Sequence, residues 1–385
     1  MPLFDDRVRD DDAYIRPTET MYKFLDRVSR PELAAPREML AAWFDRWPAA
    51  GRKELGARLK SKSPANFNGA FWELYLHELH TRLGFEIERD PTLPGMATHP
   101  DFLMRRGDDA FYMEATVVGV PDRVAAKRRR EDLVIDAINR AYHPDFALRL
   151  YRIEVGDKIP SRRAVVDAVE DWMETLDWES ERAALDGPAA GPVHIELNGT
   201  HLFVRPWPRA PERRGERDFP TVVARTGDGG IVNEPPAILD DLKDKASKFG
   251  KPPKPLVIAL LCGLDFTTDH DIEQALFGPD VVHVRIGPRG PLGEPRLARD
   301  PRGFWQHGQR QRATRVAAVL SAIHLNPWSV ADTSLRLWRN PWATYPLPDC
   351  LPWATTDVDL RTGLPVHRAA ASEPGVVLGV GLGGG

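Results

Sequence analysis

The sequence predicts an α/β chain, of the α+β kind with a mixed sheet, and three observations carry that prediction. A segment of helical periodicity, "SPANFNGAFWELYLHELHTRLGF" (63–85), is followed by three short strand-like runs. "PLVIALLCG" (255–263) is apolar without a break, the pattern of a strand buried on both faces in mid-sheet. "GPVHIELNGTHLFVRPWP" (191–208) places Asn198-Gly199 between two strand-like runs, the signature of a hairpin.

With 385 residues the chain has room for two or three domains, or for one domain carrying a large insertion. A net charge of −4 excludes a polycation, so any nucleic-acid contact has to come from local basic patches. Cys262 and Cys350 alone cannot build a disulfide framework or a cysteine zinc site, and they fit a reducing cytosol. No run reaches the ~18 apolar residues of a membrane helix. "MPLFDDRVRDDD" (1–12) is acidic and lacks the apolar core of a signal peptide. A cytoplasmic location without a membrane partner is the expectation. The 35 prolines imply many loops.

Taken in order, residues 1–65 read as a helical N-terminal segment, with "PELAAPREMLAAWFDRW" (31–47) its best helix. In the next helix Trp72, Tyr75, Leu76, Leu79 and Leu83 share a stripe, Asn66 or Asn68 can cap the start, and Gly84 ends it. "FEIERD" (85–90), "PDFLMRR" (100–106) and "AFYMEATVVGV" (110–120) are strands, the last two joined by the turn "GDD". Residues 120–234 read as an inserted α+β unit. It holds a helix at 121–142, a strand at 146–156, an amphipathic helix at 161–177 and the hairpin. Residues 235–265 return to the core as a helix with Ile238, Leu239, Leu242, Ala246 and Phe249 on one side, then the apolar strand. Residues 266–368 are a C-terminal region packing on the core, with a strand at 281–287 and a helix over "RATRVAAVLSAIHL" (312–325). The low-complexity end, 369–385, reads as disordered.

The chemistry concentrates in "HPDFLMRRGDDAFYMEAT" (99–116). A short turn between the two strands brings Asp101 and Glu114 side by side, although like charges repel. A shared metal ion explains the pair; two solvated surface acids are the alternative. Pro100-Asp101 on one strand, Glu114 on the next, and a core order of helix, three strands, helix, strand resemble the PD-(D/E)XK nuclease superfamily. The resemblance covers 66–119 and 235–265 and implies a restriction-endonuclease-like core. It implies hydrolysis of phosphodiester bonds with Mg²⁺ or Mn²⁺ held by Asp101, Glu114 and the carbonyl of Ala115. Nucleic acid, DNA foremost, would be the partner, with roles in defence or repair, and a homodimer or larger assembly is compatible.

One position departs from the superfamily pattern: Thr116 stands where a lysine is expected. In some relatives that lysine migrates to the later core helix. At 100° per residue Lys245 lies about 60° from Leu242, at the edge of the apolar stripe, where its stem can cross apolar surface and deliver its head to the strands. Lys248 is the runner-up, and Lys243 points toward solvent. For the accessory acid that the first core helix often supplies, Glu73 is preferred over Glu78 because His77 follows it by one turn.

Around Lys127, Arg128 and Arg129 a basic cluster suits phosphates, although its interleaved acids also describe a solvated helix face. Most of the eleven tryptophans, Trp172 among them, read as core. Asn326-Pro327-Trp328 and Asn340-Pro341-Trp342 read as turns with packed rings. His99 reads as a strand-edge residue. A phosphate loop, a dinucleotide fingerprint and a nucleophile elbow are all missing. The segments at 243–261, 271–278 and 325–348 also resemble stretches of an uncharacterised bacterial protein family, which supports a common architecture. Two alternatives to a nuclease remain: a nuclease fold without chemistry that binds nucleic acid, and a protein-interaction component using the Pro/Trp-rich C-terminal part.

Overall fold

A computed structural model describes residues 2–96, 98–119, 122–185, 191–217, 220–225, 235–263, 267–283, 286–287, 290–291, 296–300, 302–361 and 364–380. The chain divides into two compact units: Met1–Asp10, Met21–Gly119 and Val232–Gly385 form the first, and Asp11–Thr20 with Val120–Ile231 the second. The first unit opens with α1 (Met21–Arg27), α2 (Ala34–Arg46), α3 (Arg52–Leu59), α4 (Pro64–Arg82), β1 (Glu86–Arg89), β2 (Phe102–Arg106) and β3 (Asp109–Val118). The second unit holds α5 (Asp122–Ile138), β4 (Phe146–Glu154), α6 (Arg162–Glu174), α7 (Trp178–Ala184), β5 (Val193–Leu197), β6 (Thr200–Pro208) and β7 (Val222–Arg225). The first unit resumes with α8 (Pro235–Ser247), β8 (Leu256–Cys262), α9 (Asp269–Phe277), β9 (Asp280–His283), β10 (Ile286–Gly287), β11 (Gly290–Pro291) and β12 (Arg296–Arg299). It ends with β13 (Gln306–His307), β14 (Arg310–Gln311), β15 (Val316–Ile323), β16 (Leu335–Arg339), β17 (Ala354–Val358), β18 (Pro365–Arg368) and α10 (Pro374–Leu378).

The first unit is built on an eight-stranded mixed sheet in the order β1-β2-β3-β8-β15-β16-β17-β18. β8 lies parallel to β3 on one side and to β15 on the other, with Ile258 opposite both Glu114 and Val319. Every residue of β8 is buried, as its unbroken apolar run requires of a strand covered on both faces. β2 and β3 form an antiparallel hairpin in which Arg106 pairs with Asp109. Only Gly107 and Asp108 make the turn, and Gly107 takes the positive φ of 58° that a tight two-residue turn needs. Alternation along β3 sorts its side chains. Met113 and Ala115 join the core cluster that contains Trp72, Tyr75 and Leu79 of α4. Glu114 and Thr116 therefore turn to the other face, the side on which α8 meets the strand through Lys245 and Asp241. Trp72 fixes α4 to the sheet by donating its indole N–H to the Ala259 carbonyl at 2.9 Å.

Several expectations need correction. The segment at 312–325 is not a helix: it supplies β15, a strand apolar but for Ser321, in which Val316–Ala322 are all buried. A short apolar run carries no period that separates strand from helix, and its seat between β8 and β16 decides the matter. The C-terminal region thus packs with the core, with Leu325, Leu337 and Trp353 in its apolar cluster, and also continues the core sheet through β15–β18. The end of the chain is not wholly irregular, because α10 buries Pro374, Gly375 and Leu378. Gly375 lets that helix approach closely, since a Cβ there would meet the Ala331 carbonyl oxygen at 2.5 Å. Residues 381–385 lie outside the described residues. α4 starts at Pro64, not at Asn66 or Asn68; proline at the first helical turn has no N–H to leave unsatisfied. Among the described residues before Met21 there is no helix, and Asp11–Thr20 group with the second unit. Both Asn-Pro-Trp sequences form turns, with Asn326 and Asn340 accepting from the Trp328 and Trp342 amides. The Trp328 ring is exposed, however, not packed.

The second unit packs α5 and α6 on a four-stranded sheet, β5-β6-β4-β7. Val134 and Ile138 of α5 and Val165, Val169 and Met173 of α6 meet Leu148, Leu202 and Val204 of the strands. Trp172 is partly buried against this cluster. The Asn198-Gly199 hairpin forms with positive φ at both residues. Among the described residues no helix is long and apolar enough to cross a membrane.

α9 starts at a capping box: Thr268 Oγ1 accepts from the Asp271 amide and Asp271 Oδ2 accepts from the Thr268 amide at 2.8 Å. Replacing Thr268 by Ala removes half of this reciprocal pair. The expected loss is about 1 kcal/mol, read from the urea midpoint at unchanged m-value.

Candidate functional site

Asp101 immediately precedes β2, and Glu114 lies in the middle of β3. Asp101 Oδ2 accepts from the Ala115 amide at 2.7 Å, which holds its carboxyl against the next strand. The two carboxyl groups lie within hydrogen-bonding reach of each other. Burial, and next the charge on Glu114, push the Asp101 carboxyl up to about 7. Glu114 is itself buried, with 6% of its surface exposed.

Lys245 arrives from α8. Its ammonium donates to Glu114 Oε1 at 3.1 Å and to the Ala115 carbonyl at 3.3 Å. Lys245 and Glu114 stand 131 residues apart in sequence. Burial opposes the charge on Lys245, but Glu114, Asp101 and Asp241 outweigh it and raise the pKa of the ammonium. The lysine expected on α8 thus reaches the carboxylates, while Lys248 lies exposed at the helix end, its carbonyl accepting from Thr98 Oγ1 at 2.7 Å.

Sequence reasoning missed a third carboxylate. Asp241 stands one turn before Lys245, and its Oδ2 accepts from Thr116 Oγ1 at 2.7 Å. Burial raises the Asp241 carboxyl, against the opposing pull of Thr116 and Lys245. Spacing i to i+4 on α8 was the available signal, since it puts acid and lysine on one helix face. Thr116 therefore uses its hydroxyl to tie β3 to α8.

Glu73 of α4 is largely buried, and Arg58 of α3 donates to both of its oxygens, at 2.6 and 2.8 Å. Burial raises its carboxyl, Arg58 opposes that rise, and the charge on Asp101 adds to it. Glu73 is thus close enough to feel Asp101, but its oxygens are already engaged. Glu78 is a structural acid: it is 2% exposed, takes Arg46 at 2.7 and 2.9 Å and Arg82 at 2.9 Å, and these partners outweigh burial to lower its carboxyl. His77 packs against Trp47 with the rings tilted by 49° at a centroid distance of 4.8 Å, and burial pushes its imidazole down to about 4. His99 is half exposed and lies 3.7 Å from Asp90. Lys127, Arg128 and Arg129 are exposed on α5 of the second unit, and Lys127 pairs with Glu131 at 3.5 Å.

Among the described residues no group of three or more His, Cys, Asp or Glu side chains is spaced to hold a metal ion. The donors assembled here are of another kind: two carboxylates and a main-chain carbonyl. That set matches Mg²⁺, which keeps several waters and takes one or two carboxylates. Burial, and after it the charge on Glu114, raise the Asp101 carboxyl beside this set, and the Ala115 carbonyl is already turned to a cation. A cavity of about 670 Å³ opens beside β15 and β16, among Asp269, Ser321, His324, Asp332 and Arg336; none of its lining residues belongs to the carboxylate cluster. Comparison of the chain with protein-family models, curated proteins and solved structures returns no match.

Proposed function

We propose that this chain is a nuclease-like enzyme that hydrolyses phosphodiester bonds of nucleic acid with the help of a divalent metal ion. The observation that carries the reading is the convergence of Lys245 with Glu114 and the Ala115 carbonyl beside Asp101. Asp101, Glu114 and the Ala115 carbonyl would hold Mg²⁺ or Mn²⁺. When bound, the ion supplies charge neutralisation at the phosphate and a water of lowered pKa. Lys245 offsets negative charge that builds on the phosphoryl oxygens. Thr116 cannot do so, and its hydroxyl instead fixes Asp241. Glu73, held by Arg58, adds negative charge behind Asp101. Lys248 at the end of α8, and Lys127, Arg128 and Arg129 on α5, are proposed phosphate contacts.

A second reading is a nuclease fold that binds nucleic acid or protein without cutting. It is favoured by the way Lys245 already neutralises Glu114. End-labelled single- and double-stranded DNA and RNA, incubated with the full chain and Mg²⁺ or Mn²⁺, separate the two. Cleavage that stops on chelation is the expected result. Binding without cleavage under every metal condition selects the second reading.

A further inference from the structure

We infer that the ammonium of Lys245 occupies the cation position between Asp101 and Glu114, and that Asp241 is the second seat to which it moves when a divalent ion binds. The inference rests on the metal-site reading above. Lys245 Nζ bonds two of the three donors assigned to the metal, Glu114 Oε1 at 3.1 Å and the Ala115 carbonyl at 3.3 Å. An ammonium and a divalent ion cannot share those oxygens without strong repulsion, several kcal/mol at about 4 Å in a partly buried site. The lysine has to leave, and α8 offers it a destination.

Asp241 lies on the same face of the helix, one turn earlier, at the i to i+4 spacing that lets a lysine reach a carboxylate. Thr116 holds Asp241 Oδ2, and among the described residues none is seen donating to its other oxygen. Asp241 already acts on Lys245 electrostatically. The short swing from Glu114 to Asp241 keeps the ammonium at the site while freeing the carboxylates. In this arrangement the residue in the lysine position of the strand, Thr116, holds the parking place for a lysine that comes from the helix.

Titration of the full chain with Mn²⁺ alone, by calorimetry or electron paramagnetic resonance and without nucleic acid, tests the exchange. Lys245→Met should bind Mn²⁺ roughly tenfold tighter than the wild type, because the competing charge is gone. Lys245→Gln, which keeps a hydrogen-bonding head, should do the same and guards against a packing defect in the first variant. Asp241→Asn should bind several-fold more weakly. In the Lys245→Met background, Asp241→Asn should have no further effect, and this non-additivity is the signature of a second seat. Thermal melts confirm that each variant is folded. Equal affinity in Lys245→Met, Lys245→Gln and the wild type overturns the exchange. An equal weakening by Asp241→Asn in both backgrounds overturns the second seat, because it shows a simple loss of charge. If none of the folded variants nor the wild type binds Mn²⁺, the metal site itself falls.

Discussion

On the proposed nuclease reading, replacing Asp101 by Asn abolishes metal-dependent cleavage, a fall of roughly a hundredfold or more, while the chain stays folded. Asn keeps an oxygen for the Ala115 amide, so the bond that holds the end of β2 to β3 can persist. What it removes is the charge that complements the ion. The same variant has a second, pH-dependent signature. Folding raises the Asp101 carboxyl from its usual 3.8 to about 7, so between those values the folded chain keeps a proton that the unfolded chain has released. That contribution is fully present below the unfolded value and is lost as pH rises through the folded one. Between pH 5 and pH 8.5 the wild type should therefore lose more thermal stability than Asp101→Asn. Melts at the two pH values, alongside cleavage of labelled DNA, check both effects. Full activity in the variant excludes this site.

Trp72→Ala should be the most destabilising single change in the first unit, by about 3–5 kcal/mol. The ring is fully buried and stacks on Tyr75 at 5.5 Å. Its indole N–H satisfies the carbonyl of Ala259 in the middle of β8. Truncation opens a cavity between α4 and the sheet and also removes that donor. Trp72→Phe keeps most of the packing and should cost less than Ala. Urea unfolding at constant m-value measures both, and near-wild-type stability in Trp72→Ala would mean that α4 is not anchored through this ring.

Much of the architecture around the carboxylates was legible because its signals are local. The alternation of β3, the two-residue turn before it and the unbroken apolar run of β8 each reflect a period or a turn requirement contained in a few residues. Lys245 was legible for the same reason: its angular offset from Leu242 needs only helical geometry. Asp241 and Arg58 were not, because their importance comes from partners elsewhere. Asp241 meets Thr116 across 125 residues, and Arg58 meets Glu73 from a neighbouring helix. β15 was misread because an apolar stretch rich in alanine and valine suits either a buried helix or a buried strand. Only its pairing with β8 and β16 resolves it. Residues 374–378 form a helix although glycine-rich composition signals disorder, because Gly375 permits a close backbone approach that a larger residue would block.

The central position of β8 also bears on how the chain is made on the ribosome. β3 pairs on one side with β2, but its other edge waits for residues 256–262, and β8 in turn waits for 316–323. A nascent chain that has just emerged through Gly119 presents the whole free edge of β3, and Val120–Ile231 of the second unit have to be synthesised before a partner arrives. Proteins whose sheets close late through such distant pairings fold slowly and expose sticky edges meanwhile. Shielding of that edge during translation is thus built into what this topology demands of the cell.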